Sequence, residues 1–230
     1  MKTIGLIGGL SWESSAEYYR LINEGVRARL GGLHSADCLM YSFDFAEIET
    51  LQRTGRWNAA TLRMTEAARR LERGGAQFLV ICSNTMHRMA DAVQAAVAIP
   101  LLHIADATAA QMRPQGVQTV GLLGTRYTME QDFYKGRLHQ RLGLHVLTPE
   151  ADDRERVNRV IYDELVLGQT LPESRTAYLE VVDRLVGQGA EGIIFGCTEI
   201  GMLIQQADCR VPVYDTTRIH ALAAVEMALA

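Results

Sequence analysis

The 230 residues suffice for one large domain or two small ones, and a composition that is 48% hydrophobic and 22% charged excludes a disordered or fibrous chain. Lysine and arginine number 23 against 27 for aspartate and glutamate, and this net charge of −4 argues against nucleic acid as a partner. No apolar run approaches the roughly 20 residues that span a bilayer and no secretory pattern precedes the first strand, so we expect a cytoplasmic protein with no membrane partner.

Short apolar runs alternate with helical patterns along the whole chain. The runs carry few charges, as expected for parallel strands that are buried on both faces. The predicted strands are residues 3–7, 38–43, 78–82, 101–104, 119–123, 192–195 and 211–214. The clearest amphipathic helices are predicted over residues 14–30, 58–73 and 173–187. This alternation indicates an α/β chain with parallel sheets and right-handed crossover connections.

Three segments of the first half of the chain recur, in the same order, in the second half. Residues 3–8 resemble 119–124 at an offset of 116, residues 75–85 resemble 189–199 at an offset of 114, and residues 99–101 resemble 211–213 at an offset of 112. Each match alone is weak. Three matches in one order at nearly one offset indicate an internal duplication.

The duplication predicts two lobes related by a pseudo-twofold axis, each a mostly parallel sheet flanked by helices. We place the N-terminal lobe at residues 1–97 with 213–230, and the C-terminal lobe at residues 98–212. Ligands of open α/β sheets bind beyond the carboxyl ends of the strands. Two facing lobes would therefore enclose one active site between them, with equivalent loops approaching the ligand from opposite sides.

Four cysteines are too few and too scattered for a disulfide framework, and they lack the short spacings of a zinc site. They are Cys38, Cys82, Cys197 and Cys209. In the repeat, Cys197 is equivalent to Ser83, and each directly follows a predicted buried strand and precedes a predicted helix. Backbone N–H groups and the positive end of a helix dipole would lower the pKa of a thiol there. A cysteine at a strand end is usually a packing residue, but the repeat favours Cys197 as a reactive thiol and the other three as packing residues.

Polar residues crowd the loops at these two positions. Asn84 and Thr85 follow the first position, and Thr198 and Glu199 follow the second. Each pair suits helix capping as well as ligand contact. The loops after the first strand of each lobe add further candidates for substrate contact, namely Ser11, Thr125, Tyr127 and Thr128. Neither loop has the lysine of a phosphate loop or the spacing of a dinucleotide fingerprint, so a smaller anion such as a carboxylate is the better fit.

Three motifs resemble those of a known family. They are residues 4–14 (IGLIGGLSWES), 83–87 (SNTMH) and 196–200 (GCTEI), found in this order. On these motifs the chain resembles the cofactor-independent aspartate/glutamate racemase superfamily over essentially its whole length, and most closely its broad-specificity amino-acid racemase branch. The resemblance implies two α/β lobes with the site between them, an amino acid as substrate, no cofactor such as pyridoxal phosphate, no metal, and a homodimer.

The resemblance also implies proton exchange at the α-carbon by two cysteines. One removes the α-proton as a thiolate, while the other, as a thiol, protonates the opposite face. Hydrogen bonds directed at the substrate carboxylate stabilise the carbanion, and the matching residues are Asn84, Thr85, Thr125 and Thr198. This chain departs from the pattern, because Ser83 stands where the first cysteine is expected. A serine hydroxyl is far less acidic than a thiol, whose pKa is ~8.5, so we expect Cys197 to work alone on one enantiomer, the L form, and racemisation to be one-sided.

The substrate side chain is left open between aspartate or glutamate and a neutral polar amino acid. Acid-specific relatives place cationic residues around the distal carboxylate, whereas the matching stretch 161–165 is acidic here and offers Glu164, which at an ordinary surface would simply be solvated. Gln52 or Arg53, after the second strand, could still meet a carboxylate. Glu199 would orient the thiol, bind the substrate amine or only stabilise its helix, and His87 would support the site or be structural.

Two other functions fit part of the pattern. Superfamily relatives with one cysteine of the pair decarboxylate substituted malonates, a reaction that also protonates a carbanion from one face. The alternative from a different class is a non-catalytic amino-acid-binding protein that has lost turnover through Ser83. Activity on malonates distinguishes the first alternative from a racemase, and the absence of α-proton exchange distinguishes the second.

Overall fold

The structure, a computed structural model, describes residues 1–230 and divides the chain into two compact units. Unit 1 is Met1–His103 with His220–Ala230, and unit 2 is Ile104–Ile219. The strands are β1 (Ile4–Gly8), β2 (Cys38–Ser42), β3 (Phe78–Ile81), β4 (Leu101–Leu102), β5 (Thr119–Gly124), β6 (His145–Leu147), β7 (Ile193–Gly196) and β8 (Val213–Asp215). The helices are α1 (Trp12–Leu30), α2 (Phe45–Arg53), α3 (Trp57–Arg73), α4 (Ala90–Ala95), α5 (Ile104–Met112), α6 (Arg126–Glu130), α7 (Asp132–Leu142), α8 (Ala151–Asp163), α9 (Pro172–Gly187), α10 (Ile200–Leu203) and α11 (Thr216–Leu229).

Each unit contains one four-stranded parallel sheet flanked by helices. The strand order is β2-β1-β3-β4 in unit 1 and β6-β5-β7-β8 in unit 2, so the two units repeat the same topology. This confirms the α/β class and the duplication that the sequence predicts. None of the helices is both long and apolar enough to cross a membrane.

Apolar side chains on both faces of its sheet stabilise unit 1. Along β1, Ile4 and Leu6 belong to the core under α1 and α11, whereas Ile7 belongs to the core under α2 and α3. Successive strand residues point to opposite faces, so a strand covered on both sides must be apolar throughout. Along β1 and β3, the two central strands, polar side chains occur only in the loops that follow their carboxyl ends.

Unit 2 is built in the same way. Leu123, Ile193 and Phe195 pack against α8, α9 and α10, while Leu122 and Ile194 on the other face pack against α5 and α7. The register pairs Gly124 with Gly196 at the carboxyl ends of β5 and β7. The loops that carry the predicted site residues therefore start from adjacent central strands.

The predicted lobe boundaries differ from the observed units. The two points where the chain passes from one unit to the other are called crossings here. The sequence predicts them at 97/98 and 212/213, but the chain leaves unit 1 after residue 103 and returns to it after residue 219. The reason is strand pairing, because β4 pairs with β3 and β8 pairs with β7, which keeps each last strand in the preceding sheet. The sequence also missed β6, a three-residue edge strand that pairs only with β5.

A buried imidazole lies where the chain returns to unit 1. His220 donates its Nε2–H to the Leu102 carbonyl at 2.9 Å, and its Nδ1 accepts the Tyr18 hydroxyl at 2.8 Å. A carbonyl oxygen only accepts, so the neutral ring carries its proton on Nε2. Burial lowers the pKa of His220 to about 4, although the hydrogen bond to the Leu102 carbonyl acts in the opposite direction.

This histidine should make the stability of the protein depend on pH. Its pKa is about 4 when folded and 6.5 ordinarily, so the unfolded chain binds the proton first as the pH falls. The stabilisation is complete above pH 6.5, and we expect this group to lower the free energy of unfolding by about 2 kcal/mol between pH 7.5 and pH 5. Urea denaturation of the wild type and His220→Gln measures the contribution. Equal pH dependence in the two proteins would contradict it.

Candidate active site

Ser83 lies in a buried turn at the carboxyl end of β3. Cys82 precedes it and donates its N–H to the Ile7 carbonyl at 2.9 Å, which extends the pairing of β1 with β3. A 3₁₀ turn over Thr85–Met89 follows, and within it the Nδ1–H of His87 donates to the Ser83 carbonyl at 2.7 Å. The side chains of Ser83, Asn84 and Thr85 are buried. The backbone of the turn is thus fixed by hydrogen bonds on both sides of Ser83.

The loop after β1 is attached to the Ser83 turn. Ser11 caps α1, its Oγ accepting the Ser14 N–H at 3.2 Å, and Ser14 Oγ donates to the Cys82 carbonyl at 2.8 Å. Gly9 has φ +71°, and a Cβ there would lie 2.2 Å from the backbone of Phe43. Only glycine fits this turn, so it holds Ser11 at the same end of the sheet as the Ser83 turn.

Gln52 on α2 is buried, and its Nε2 lies 3.1 Å from the Sδ of Met86 in the Ser83 turn. The neighbouring Arg53 is different, because its side chain is 64% exposed and pairs with Glu49 at 3.3 Å. Of the two residues that the sequence offered for side-chain recognition, Gln52 is therefore the one attached to the Ser83 turn.

In unit 2 the loops after β5 and β7 lie side by side. A Cβ on Gly124 would lie 2.7 Å from the Gly196 carbonyl oxygen, so the two backbones approach too closely for a side chain. Thr125 follows and caps α6, its hydroxyl accepting the Thr128 N–H at 3.4 Å. Thr128 is fully buried, with its hydroxyl 3.3 Å from that of Thr125. Thr128 therefore fixes the side chain of Thr125 through these two contacts.

Tyr127 is also buried in this loop, and the exposed Arg126 stacks on it. The guanidinium carbon lies 5.0 Å from the ring centroid, and Arg126 Nη2 donates to the Tyr127 hydroxyl at 3.0 Å. The backbone N–H of Arg126 donates to Asn158 Oδ1 at 2.9 Å. These contacts fix the direction of the Tyr127 ring at the carboxyl end of β5.

Cys197 lies directly after β7, beside a buried carboxylate. Its thiol donates to Glu199 Oε2 at 3.0 Å, and the Thr198 hydroxyl donates to the same oxygen at 2.6 Å. All three side chains are buried. The hydroxyl proton of Thr198 is therefore used to hold Glu199, and Glu199 is the group that can take the thiol proton.

The electrostatics of Cys197 are the reverse of what the sequence predicts. Burial raises the pKa of the Cys197 thiol well above its ordinary value, and the charge of Glu199 raises it further. The N–H groups of Glu199 and Thr198 act in the opposite direction but do not prevail. The expected helix dipole is weak, because α10 has only four residues. The raised pKa favours the protonated thiol over the thiolate.

Replacing Glu199 by glutamine separates these effects. Glu199→Gln removes the negative charge and the proton acceptor, so we expect the thiol pKa to fall towards its ordinary value while α-proton exchange slows about 100-fold. The rate of iodoacetamide alkylation against pH reports the thiol pKa. A matched control is Glu191→Gln, because Glu191 is an exposed carboxylate of the same unit that accepts from backbone N–H groups. A thiol pKa that stays the same or rises in Glu199→Gln would contradict the assignment.

A second carboxylate lies near this site. Glu164 ends α8, and its Oε1 accepts the Ser174 hydroxyl at 2.8 Å, whereas Oε2 is buried without a hydrogen-bond partner in the chain. Tyr178 lies within the electrostatic reach of both carboxylates. Burial raises the pKa of Tyr178, and the neighbouring Cys197, Glu164 and Glu199 raise it further. Glu164 is thus a half-buried member of an acidic environment and not an ordinary surface residue.

The predicted site residues form two groups, one at the carboxyl end of each central strand pair. Unit 1 contributes Ser11, Gln52, Ser83, Asn84 and Thr85, and unit 2 contributes Thr125, Tyr127, Thr128, Cys197, Thr198 and Glu199. Sequence reasoning missed Tyr178 and Ser174, which lie on the apolar face of α9 and carry no local motif. No group of three histidine, cysteine, aspartate or glutamate side chains could hold a metal ion.

Comparison with known proteins agrees with the fold and the motifs. The Asp/Glu/Hydantoin racemase family matches residues 7–224. A crystal structure from Yersinia pestis, described as an Asp/Glu racemase, superimposes with a TM-score of 0.93 at 56% identity over 100% of both chains. An aspartate racemase homologue from Pyrococcus horikoshii gives 0.87 at 35% identity, also over 100% of both chains.

A curated relative agrees with these structures. The broad-specificity amino-acid racemase RacX of Bacillus subtilis is 24% identical over 165 residues, which cover 72% of this chain and 70% of RacX. The family match extends over nearly the whole chain, and both parallel sheets lie within it. The chain therefore belongs to the Asp/Glu/hydantoin racemase family, a family of isomerases.

Proposed function

We propose that the protein is a cofactor-independent amino-acid racemase in which Cys197 is the only working thiol. The thiol exchanges a proton with one face of the substrate α-carbon, and Ser83 or water protonates the other face slowly. The observation that carries this proposal is the hydrogen bond of 3.0 Å from the Cys197 thiol to the buried carboxylate of Glu199. A buried thiol with a proton acceptor in contact is the arrangement that proton transfer at carbon requires.

Glu199 is the proposed proton acceptor that converts the Cys197 thiol into a thiolate. Burial and then the negative charge of Glu199 raise the pKa of the Cys197 thiol, which favours its protonated form. Transfer of the thiol proton to Glu199 Oε2 moves the negative charge from the carboxylate to the sulfur, and the α-ammonium group of a bound amino acid would stabilise the thiolate that forms. The Thr198 hydroxyl, 2.6 Å from the same oxygen, keeps the carboxylate turned towards the thiol.

The chemical step then follows from the thiolate. Sulfur takes the α-proton, so the Cα–H bond breaks, the S–H bond forms, and the electron pair is left on the α-carbon and the substrate carboxylate. Hydrogen bonds to that carboxylate stabilise the carbanion most when they are fixed in advance. Asn84, Thr85 and Thr125 are the proposed donors, because each lies in a buried turn that is held by its own backbone contacts.

Ser83 makes the exchange one-sided. Once the new S–H has exchanged its proton with solvent, the same thiol protonates the same face and regenerates the substrate, which in deuterated water then carries deuterium at the α-carbon. Inversion needs a proton from the other face, where we propose that the Ser83 hydroxyl stands. Because a hydroxyl is a much weaker acid than a thiol, we expect exchange to exceed inversion for the enantiomer that faces Cys197, which we propose is the L form.

The substrate side chain is proposed to be neutral and polar. Glu164 places a half-buried carboxylate near Tyr178, which is also close to Cys197, and one oxygen of Glu164 has no protein partner. A second carboxylate on the substrate would be repelled there, whereas a hydroxyl or amide could donate a hydrogen bond. Gln52, the buried amide in unit 1, offers neutral hydrogen bonding as well.

The test is incubation of the protein in deuterated water with L- and D-serine, homoserine, asparagine, glutamine, aspartate and glutamate, followed by NMR of the α-proton. We expect loss of the α-proton signal to be fastest for a neutral polar L-amino acid. If no amino acid loses its α-proton, the proposed reaction is wrong. Faster exchange with aspartate or glutamate would contradict only the side-chain preference. A cytoplasmic location and a homodimer remain predictions from the sequence.

A further inference from the structure

Three histidines and a tyrosine are buried together in unit 1, in and next to the Ser83 turn. This histidine cluster consists of His87 in the turn, His103, His220 and Tyr18. His103 is the last residue of unit 1 before the first crossing, and His220 is the first residue after the second. The cluster thus connects the Ser83 turn to both ends of the chain segment that forms unit 2.

Hydrogen bonds fix the proton positions in two of the rings. The Ser83 carbonyl can only accept, so the 2.7 Å contact places the His87 proton on Nδ1. By the same reasoning, the contact of 2.9 Å to the Leu102 carbonyl places the His220 proton on Nε2. Leu102 directly precedes His103, so His220 joins the two crossings with this bond.

Ring contacts hold His87 in place. Its centroid lies 4.7 Å from that of His103 and 5.5 Å from that of His220, and Tyr18 packs edge-on against His220 at 5.6 Å. The histidine that holds the Ser83 carbonyl is therefore packed against the residues at both crossings. A buried ring with these neighbours has little freedom to turn away from Ser83.

The Ser83 carbonyl belongs to the peptide group that joins Ser83 to Asn84. Fixing this carbonyl fixes the plane of the peptide, and with it the Asn84 N–H and the position of the Ser83 Cα that carries the side chain. A proton donor must lie within hydrogen-bond reach of the atom it protonates, and a displacement of about 1 Å can cost ~100-fold in rate. The hydrogen bond from His87 is therefore suited to controlling the Ser83 side of the reaction.

We propose that His87 is a positioning residue that holds Ser83, through its backbone carbonyl, where its hydroxyl can protonate the carbanion. This inference rests on the proposed function of Ser83. The residue acts as a donor from Nδ1, and the rings of His103 and His220 keep that donor directed at the Ser83 carbonyl. Cys197 forms the carbanion, so His87 should not affect how fast carbanions form. His87 should affect only the fraction of carbanions that are protonated on the second face and therefore inverted.

Two substitutions separate the donor from the ring. The amide nitrogen of asparagine lies close to the position of Nδ1, so His87→Asn keeps a donor for the Ser83 carbonyl. The amide nitrogen of glutamine corresponds to Nε2, so His87→Gln keeps a polar side chain without that donor. If the ring only fills space, both variants should be equally impaired, because both remove the same aromatic contacts.

The readout is the ratio of racemisation to α-deuterium incorporation for the enantiomer that faces Cys197. We expect this ratio to fall about 10-fold in His87→Gln and to stay within about twofold of the wild type in His87→Asn. His139→Gln is the matched control, since His139 also contacts a backbone carbonyl through Nδ1, that of Leu144 at 3.2 Å, in the other unit. An equal fall in both His87 variants, or no fall in His87→Gln, would overturn the proposal.

A second measurement does not depend on activity. Nitrogen-15 NMR of labelled histidine should show His87 protonated on Nδ1 and His220 protonated on Nε2 at neutral pH, with His87→Asn and His220→Gln used to assign the signals. An Nε2-protonated His87 would overturn the proposal even if the enzyme is active. Conversely, a wild type without any α-proton exchange refutes the proposed function, and in that case a positioning role in proton transfer is refuted with it.

Discussion

Cys197→Ala is expected to reduce α-proton exchange by about 1,000-fold or more, the largest effect of any single substitution in this chain. The substitution removes the thiol that lies 3.0 Å from Glu199 and is the proposed base for the α-proton on that face. General bases typically contribute 100- to 10,000-fold, and this thiol is also the acid that returns the proton. The initial rate of α-deuterium incorporation measures the loss.

The matched control is Cys209→Ala. Cys209 is a half-buried thiol of the same unit and lies beside Asp208. Burial raises the pKa of the Cys209 thiol, and the charge of Asp208 raises it further. It lies at the end of a 3₁₀ turn and not at the carboxyl end of a central strand, so we expect exchange within about twofold of the wild type. Thermal unfolding of both variants checks that they are folded. Retention of a tenth of the exchange rate in Cys197→Ala would contradict its assignment as the base.

Ser83→Cys is expected to produce a second large effect, in the opposite direction. A thiol at this position is a much stronger acid than the hydroxyl it replaces, so more carbanions should be protonated on the second face. We expect the ratio of racemisation to exchange to rise about 10- to 100-fold, and the two enantiomers to exchange at comparable rates. Polarimetry and NMR on the same samples give the two rates.

Ser35→Cys is the control for an added thiol, because Ser35 is exposed in the loop that precedes β2. It should leave the ratio unchanged. The double variant Ser83→Cys with Cys197→Ala is the sharper test, since the only thiol left at the two equivalent positions would stand on the other face. We expect it to exchange the opposite enantiomer, and an unchanged preference would contradict the placement of the two residues on opposite faces.

Much of the fold follows from local sequence patterns. Uncharged runs such as residues 78–82 predict central strands because a parallel sheet is covered on both faces, and β3 is observed at Phe78–Ile81. The edge strand β6 carries only three residues and so has little periodicity to detect. The crossings were misplaced because the boundary depends on which sheet the last strand joins, and a repeat alone does not determine that pairing.

Several properties of the site could not be predicted from the sequence. The repeat correctly places Cys197 directly after β7, but the sign of its pKa shift depends on burial and on the distance to Glu199, neither of which a sequence contains. Thr198 illustrates the same point, since the motif suggests substrate contact whereas the hydroxyl donates to Glu199. Glu164 is acidic by sequence, but only the structure shows that one of its oxygens is buried without a partner.

The central claim is that one thiol, Cys197, exchanges protons with one face of the substrate. The most direct test is to measure, for the amino acid that reacts fastest, α-deuterium incorporation into its L and D enantiomers separately, using the wild-type protein. We expect incorporation into one enantiomer at least about 10-fold faster than into the other, with inversion slower than incorporation. Equal incorporation into both enantiomers would contradict it.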